Sequence, residues 1–380
     1  MILFLSHYAG RTGAPMVLLS LLQWLKENTS LTFETIHLQD GNLLTEFQKI
    51  GPTTICTSTR FERNLKRFFD LFGVKTDVLN HCWQKIEEKY AGKVGMIYSN
   101  TITNGEALAR LSGLNCPVIC HVHEQELLIQ QFGLKNMELV KRFTTHYVAA
   151  SEKVKRNLVM HHQIPEDKID TIYSFINVST LPKKFRNIKS ELNIPEQDFV
   201  VCGSGHGSIW YKGKDLFVQL AHAVNKKFDV SPVHFIWVGG SDEEMDANKI
   251  QHDVRLAGIE KYVHFIDDTD KPYDYFNICD IFVLTSREDS FPLVCLEAAA
   301  LGKPVLCFEG AGGMPEFVEK DAGYIIPYLD IHVMADKLIG LLQKPDKKTE
   351  MGLRAAQKVR ERHDVSVACP LLLKVIKRFL

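Results

Sequence analysis

The sequence predicts an α/β protein of two domains, each a parallel sheet layered with helices. Three observations carry this expectation. Short apolar runs rich in branched and aromatic residues alternate with helical patterns along the whole chain, which is the arrangement of successive βαβ units. The chain has 380 residues, whereas a single core stops growing at roughly 250 to 300 residues. The most distinctive stretch, residues 286–305, starts where an apolar run ends and continues as a helical pattern closed by Gly302 and Pro304, a strand-to-helix junction.

The first series of strands is expected at residues 2–5, 33–38, 54–56, 95–98, 118–120, 147–149 and 169–172. The run at 281–285, Ile-Phe-Val-Leu-Thr, is continuously apolar and suits a parallel strand covered on both faces. After the strand at 2–5, Ser6-His-Tyr-Ala-Gly-Arg-Thr-Gly-Ala-Pro15 leads into a helical pattern over 16–25. Gly10 and Gly13 stand before that helix, whose N-terminal amides favour an anion. The second series is expected at 199–202, 235–238, 263–265, 281–284, 305–308 and 324–326. Residues 179–189 are polar and basic without amphipathic period, so they read as a linker between domains at 1–180 and 190–363.

Lysine and arginine number 45 against 46 acids, a net charge of −1, which excludes bulk nucleic-acid binding as a partner class. Nine cysteines have no regular spacing, and Cys120, Cys202 and Cys307 fall in or beside apolar strand-like runs. There cysteine acts as a small hydrophobe, and the expected location is the reducing cytoplasm. The N-terminal residues lack a basic region and a long enough apolar run for a secretory leader. No run approaches the roughly 18 apolar residues of a membrane span. Cys116, Cys120, His121 and His123 offer zinc-ligand chemistry, but a strand at 118–120 would hold the two cysteines apart, and no second ligand pair follows at finger-like spacing.

Residues 60–72 form an amphipathic segment. Phe61, Leu65, Phe68, Phe69 and Phe72 share one face, with Arg60, Arg63, Lys66 and Arg67 over the rest. Two readings stay open: peripheral contact with the inner, anionic face of a membrane, or a helix packed on its own sheet.

The chemistry concentrates after the strands. Asp289 and Glu297 are eight positions apart, one at the carboxyl end of a strand and one in the second turn of the next helix, where open parallel sheets bind ligands. Gly203-Ser-Gly-His-Gly-Ser-Ile-Trp-Tyr-Lys-Gly213 follows another strand. As a dinucleotide fingerprint it fits poorly: the third glycine comes one residue early, and Asp242 lies well beyond the roughly 20-residue spacing of the ribose-binding acid. Glu309-Gly-Ala-Gly-Gly-Met-Pro-Glu316 places adjacent glycines before a helix start, so backbone amides can approach a phosphate there. A plain tight turn is the alternative.

Residues 286–305 resemble the signature of retaining glycosyltransferases of family four, in which an acid, seven residues and a Glu follow a strand. The spacing selects Asp289 and Glu297, with Ser290 and Pro292 in place of two glycines. Pro292 removes one backbone donor. Lys212-Gly213 matches the family's diphosphate-binding Lys-Gly, and six positions earlier His206 stands where the family has Arg. Gly312-Gly313, the loop at Gly13 and Ala14, and His123 also match family elements.

The resemblance implies a GT-B fold: two facing Rossmann-like domains with parallel sheets, an active site in the cleft, and a C-terminal helix, here 364–380, crossing back to the first domain. It further implies that Glu297 accepts hydrogen bonds from ribose, that Asp289 with Ser290, Phe291, Pro292 and Leu293 holds the donor sugar, and that Lys212, His206, Gly312 and Gly313 hold the diphosphate. Gly13 and Ala14 lie near it, and His123 sits beside the transferred sugar, making His123, Asp289 and Lys212 the catalytic candidates. The implied reaction moves a sugar from a UDP- or GDP-sugar to a hydroxyl of a glycan or lipid-linked glycan in cell-surface polysaccharide synthesis, with retention, no cofactor and no essential metal. A sugar-nucleotide epimerase or hydrolase of the same fold is the alternative enzyme. His206 and Asp289, as departures from the family pattern, motivate a non-catalytic binding module as the other alternative.

Overall fold

The computed structural model describes residues 1–56, 80–228, 230–240 and 244–380. The amphipathic segment 60–72 lies outside the described residues. The chain divides into two compact units, one of Met1–Ile172 with Cys369–Leu380 and one of Tyr173–Ala368.

The first unit is a seven-stranded parallel sheet: β1 (Ile2–Ser6), β2 (Phe33–His37), β3 (Thr53–Ile55), β4 (Met96–Ser99), β5 (Val118–Val122), β6 (His146–Ala149) and β7 (Ile169–Thr171), in the order β3-β2-β1-β4-β5-β6-β7. β1, β4, β5 and β6 are buried at every position, which is why their sequences are continuously apolar instead of alternating. The helix after β1, Gly13–Asn28, turns Val17, Leu18, Leu21, Leu22 and Leu25 inward, the i, i+3/i+4 stripe of a helix lying on a sheet.

The second unit repeats the plan with six parallel strands: β8 (Phe199–Ser204), β9 (Val233–Val238), β10 (Val263–Ile266), β11 (Ile281–Leu284), β12 (Val305–Phe308) and β13 (Gly323–Ile326), ordered β10-β9-β8-β11-β12-β13. One apolar cluster includes Phe217, Phe235, Trp237 and Leu338, and another includes Phe282, Cys295, Leu296 and Phe317. They cover the two faces of the sheet, since alternate residues of a strand point to opposite sides. In both units the strand order reverses at one place, between β1 and β4 and between β8 and β11. Ligands of open parallel sheets bind at the carboxyl ends of the strands at such a reversal.

The division falls earlier than the expected 180. Residues 179–189, read as a linker, belong to the second unit: Ile188 is fully buried in its core and Leu181 packs against it. Ile176 also pairs with Asp364 in an isolated parallel bridge, with Ile176 N–H donating to His363 O and Val365 N–H to Ile176 O. Polar composition hid two anchoring aliphatics. The C-terminal segment rejoins the first unit from Cys369, five residues after the expected 364, because Ile176 and Asp364 hold the intervening chain to the second. Among the described residues no helix is long and apolar enough to cross a membrane.

Candidate active site

At the reversal of the second sheet, the loops leaving β8 and β11 are fastened to each other. Lys212 Nζ donates to Asp289 Oδ2 at 2.7 Å. Thr285 Oγ1 donates to Gly213 O at 2.8 Å, and Arg287 N–H donates to Tyr211 O at 3.0 Å. The Arg287 guanidinium closes a two-pronged pair with Asp215 at 2.9 and 2.7 Å, the fork geometry that favours Arg over Lys. Gly213 has φ +70°, and a Cβ there would lie 1.9 Å from Thr285 O. Only glycine accepts both the left-handed conformation and that approach, so the residue after Lys212 is dictated by backbone packing.

The glycine turn after β12 is joined to the same loop. Asp289 N–H donates to Ala311 O at 2.8 Å and Gly313 N–H to Ser290 O at 2.9 Å, with Asp289 and Gly312 forming an isolated parallel bridge. The Gly313 N–H, one of the diphosphate or donor-sugar candidates of this turn, is thus engaged by the Asp289 loop. Phe291 is buried and stacks on His363 with centroids 5.1 Å apart, so its side chain anchors the loop from beneath. Pro292 is the last residue before the helix Leu293–Ala300, where a missing N–H costs no helical bond.

Glu297 lies in that helix and accepts a hydrogen bond from Tyr273 Oη at 3.1 Å. Burial pushes its carboxyl up to about 7, opposed by the Tyr273 bond. Near neutrality it is poised between acid and carboxylate, and a pair of hydroxyl donors would draw it to the ionised form. His206, in the β8 exit loop, shares a hydrogen bond of 3.0 Å between its Nδ1 and Asp268 Oδ1. Asp268 also accepts from Gly240 N–H at 3.0 Å. The residue standing for a family Arg is thus bound to a carboxylate, leaving Lys212 as the cation beside Asp289.

In the first unit, Asn100 ties two site candidates together. It follows β4, and its Nδ2 donates to Ala14 O at 2.8 Å while its Oδ1 lies 3.3 Å from His123 Nε2. Gly13 opens the helix after β1, and the Thr12 side chain does not cap it. Burial pulls His123 down to about 3, with His7 adding to the effect, so its ring is neutral at working pH. Glu124 accepts from His123 N–H at 3.0 Å and Ile102 N–H at 3.4 Å, and from Thr101 Oγ1. His121, the other histidine of the pair, is buried with Tyr98 Oη 2.8 Å from its Nδ1.

The sequence reading singled out neither Asn100 nor Tyr273. Asn100 could have been found, since it stands directly after a strand at the reversal of the first sheet. Tyr273 carries no comparable signal, because it follows β10 and reaches Glu297 only through packing. Asp268 and Asp270 carry an Asp-x-Asp spacing. Asp268 is engaged by Gly240 and His206, and among the described residues no group of three or more His, Cys, Asp or Glu could hold a metal ion.

This constellation meets known proteins at the level of family and fold. The family model for glycosyl transferases group 1 matches residues 184–358, which contain Lys212, Asp289, Glu297 and the Gly312-Gly313 turn. Over those residues the chain is similar to the glycosyl transferases group 1. The chain is 29% identical over 233 residues to the N-acetyl-alpha-D-glucosaminyl L-malate synthase of Bacillus anthracis, covering 61% of this chain and 57% of the relative. It is 28% identical over 185 residues to an uncharacterized glycosyltransferase of Haemophilus influenzae, covering 48% and 49%. The chain thus spans about half the length of these curated relatives. Among solved structures it is similar in fold to the HepE protein of Anabaena in complex with UDP-glucose, with a TM-score of 0.82, 19% identity and 99% of both chains covered. The sucrose-phosphate synthase of Thermosynechococcus elongatus is also similar, with a TM-score of 0.79 and 16% identity over 100% of this chain and 98% of the other. These two are GT-B neighbours, and the chain shares that fold, two Rossmann-like units of parallel sheet.

Proposed function

We propose that the chain transfers a sugar, with retention at its anomeric carbon, from a nucleoside-diphosphate sugar to a hydroxyl of a glycan or lipid-linked glycan. The observation that carries this reading is the placement of Lys212 against Asp289 at the reversal of the second sheet, with Glu297 in the helix that follows. Breaking a glycosidic bond to a diphosphate develops negative charge on the leaving oxygens, and a fixed ammonium stabilises it. Lys212 fills that role and makes an essential metal unnecessary. Asp289 holds the Lys212 side chain and accepts from donor-sugar hydroxyls, while ionised Glu297 accepts from the two ribose hydroxyls.

Retention follows from same-face attack, in which the leaving phosphate oxygen takes the proton of the acceptor hydroxyl and no protein nucleophile intervenes. His123, neutral by burial, suits a hydrogen bond to a sugar hydroxyl and not a charge on phosphate. UDP is the favoured nucleotide, since the similar HepE protein of Anabaena is described with UDP and with UDP-glucose. A glycan or lipid-linked acceptor agrees with the diphospho-undecaprenol N-acetylgalactosaminyltransferase of Campylobacter jejuni among the relatives. We place the reaction in the cytoplasm, where nucleotide sugars are made.

A thermal-shift comparison of UDP, GDP, ADP and CMP tests the donor half. Ligand at 100 times its dissociation constant adds roughly 2.7 kcal/mol to stability, so UDP should raise Tm clearly above CMP. No response to any nucleoside diphosphate would sink the reading. Binding of UDP without consumption of any UDP-sugar, across a panel of acceptors, would leave a binding module in its place.

A further inference from the structure

Beside the Lys212–Asp289 pair, the loops leaving β8, β11 and β13 build a surface that the proposed donor chemistry does not use. The Arg287 guanidinium lies 4.9 Å from the ring centroid of Trp210, and its Nη1 also donates to Trp210 O at 2.5 Å. Tyr328 Oη donates to Arg287 O at 3.2 Å. Trp210 is nevertheless 56% exposed and Tyr328 51%, unusual for rings that large. Leu329, next to Tyr328, has φ +62°, a left-handed conformation that a branched side chain adopts only when its surroundings impose it. Arg287 thus contacts both Trp210 and Tyr328, and Tyr328 also meets Phe308 edge-on with centroids 6.1 Å apart.

We infer that Trp210, Arg287 and Tyr328 form a stacking site for a pyranose ring of the acceptor glycan, an inference that rests on the transferase reading above. A pyranose presents one face of C–H groups, which packs flat on an aromatic face, while its hydroxyls reach polar tips such as the Tyr phenol. Trp210 offers such a face, backed by the guanidinium. Asp215 pairs with Arg287 through both nitrogens, so the guanidinium is engaged beneath the ring. Its position also separates it from the nucleotide: Tyr328 follows β13 at one edge of the sheet, whereas the Glu297 partner Tyr273 follows β10 at the other. Arg287 is two residues before Asp289, so a glycan stacked here is within reach of the sugar being transferred.

The test is saturation-transfer-difference NMR on the full chain with excess UDP, using maltotriose and N,N′,N″-triacetylchitotriose as probes. Transfer to the C–H protons of one ring face is expected, with Trp210→Ala weakening the response roughly tenfold, the loss of about 1.4 kcal/mol of aromatic contact. Trp210→Phe should retain most of it. Leu353→Ala, a change at a separate exposed apolar residue, should match wild type. The inference is overturned if neither probe receives transfer from wild type, or if Trp210→Ala and Tyr328→Ala respond as wild type does. Quenching of tryptophan fluorescence by UDP alone that disappears in Trp210→Ala would put the base on this surface and also overturn it. A wild-type protein that does not bind UDP at all would fail the transferase reading itself, which the thermal-shift result reports separately.

Discussion

Lys212 Nζ donates to Asp289 Oδ2 at 2.7 Å although 77 residues separate them, and the pair is the joint between the two loops at the reversal of the second sheet. Asp289 is the more enclosed partner, 12% exposed against 27% for Lys212. Removing the lysine strands a carboxylate with little water around it. Lys212→Ala should therefore lower turnover of the sugar donor by about a hundredfold or more, as loss of a preorganised charge does, and lower Tm as well. Adding Asp289→Asn to Lys212→Ala should recover part of that Tm without recovering turnover. Equal Tm for the single and double variants would show that the pair does not bear on stability.

Glu297 should make both stability and donor binding depend on pH. Its folded carboxyl, near 7, is above the ordinary value of 4.5 because of burial. The folded state thus holds the proton more tightly than the unfolded state, so this residue's contribution is complete below about 4.5 and is lost as pH rises through 7. Hydroxyl donors need the ionised form, so UDP affinity should rise between pH 6 and pH 8, and Glu297's own contribution to stability should fall between about pH 4.5 and 7. Glu297→Gln should flatten both trends, as read by Tm and by titration calorimetry. An unchanged pH dependence in the variant would remove Glu297 from the ribose.

Gly213 should resist any side chain. Alanine there would meet a left-handed φ of +70° and an oxygen at 1.9 Å. The conformational cost alone is about 1 to 2 kcal/mol, and relief of the overlap would push apart the Thr285 and Gly213 backbones that hold Lys212. Gly213→Ala should lower Tm by several degrees and reduce UDP affinity together. Wild-type Tm would mean the loops are not locked as described.

Buried histidines should govern the acid limb of stability. Burial pulls His37 and His264 down to about 4 and His123 to about 3. Each is below its unfolded value of 6.5, so the unfolded chain binds the extra protons, and the stability these groups confer is lost as pH falls below about 6.5. Tm should drop between pH 7 and pH 5. His37→Phe, which keeps a ring against Phe47, should show a smaller drop, and an identical drop would exclude His37 as a contributor.

Much of this site was legible in the chain. The Asp289–Glu297 spacing followed a recognisable strand, and Lys212-Gly213 followed another, so the elements carrying the chemistry could be placed by pattern alone. Other features had no sequence signal. Nothing in Gly312-Gly313 says that the Gly313 amide is consumed by Ser290, because a backbone bond between two loops depends on how closely they approach. Nothing in His206 points to Asp268, which leaves a different strand. Ile188 and Leu181 were concealed in a polar stretch, where two aliphatics are too few to show a period yet enough to anchor it. Trp210 and Tyr328 read as ordinary aromatics until Arg287 brought them to one surface.

By itself, the sequence determined the type and order of the elements and the residues standing at the strand ends, since helix and strand periods are local properties. Only the tertiary structure decided which of those ends meet. β8 and β11 are neighbours while β9 and β10, which intervene in the chain, lie outward on the same side. That order is set by burying both faces of a twisted sheet, a property of the assembled layers and not of any segment. It is what places Lys212 against Asp289.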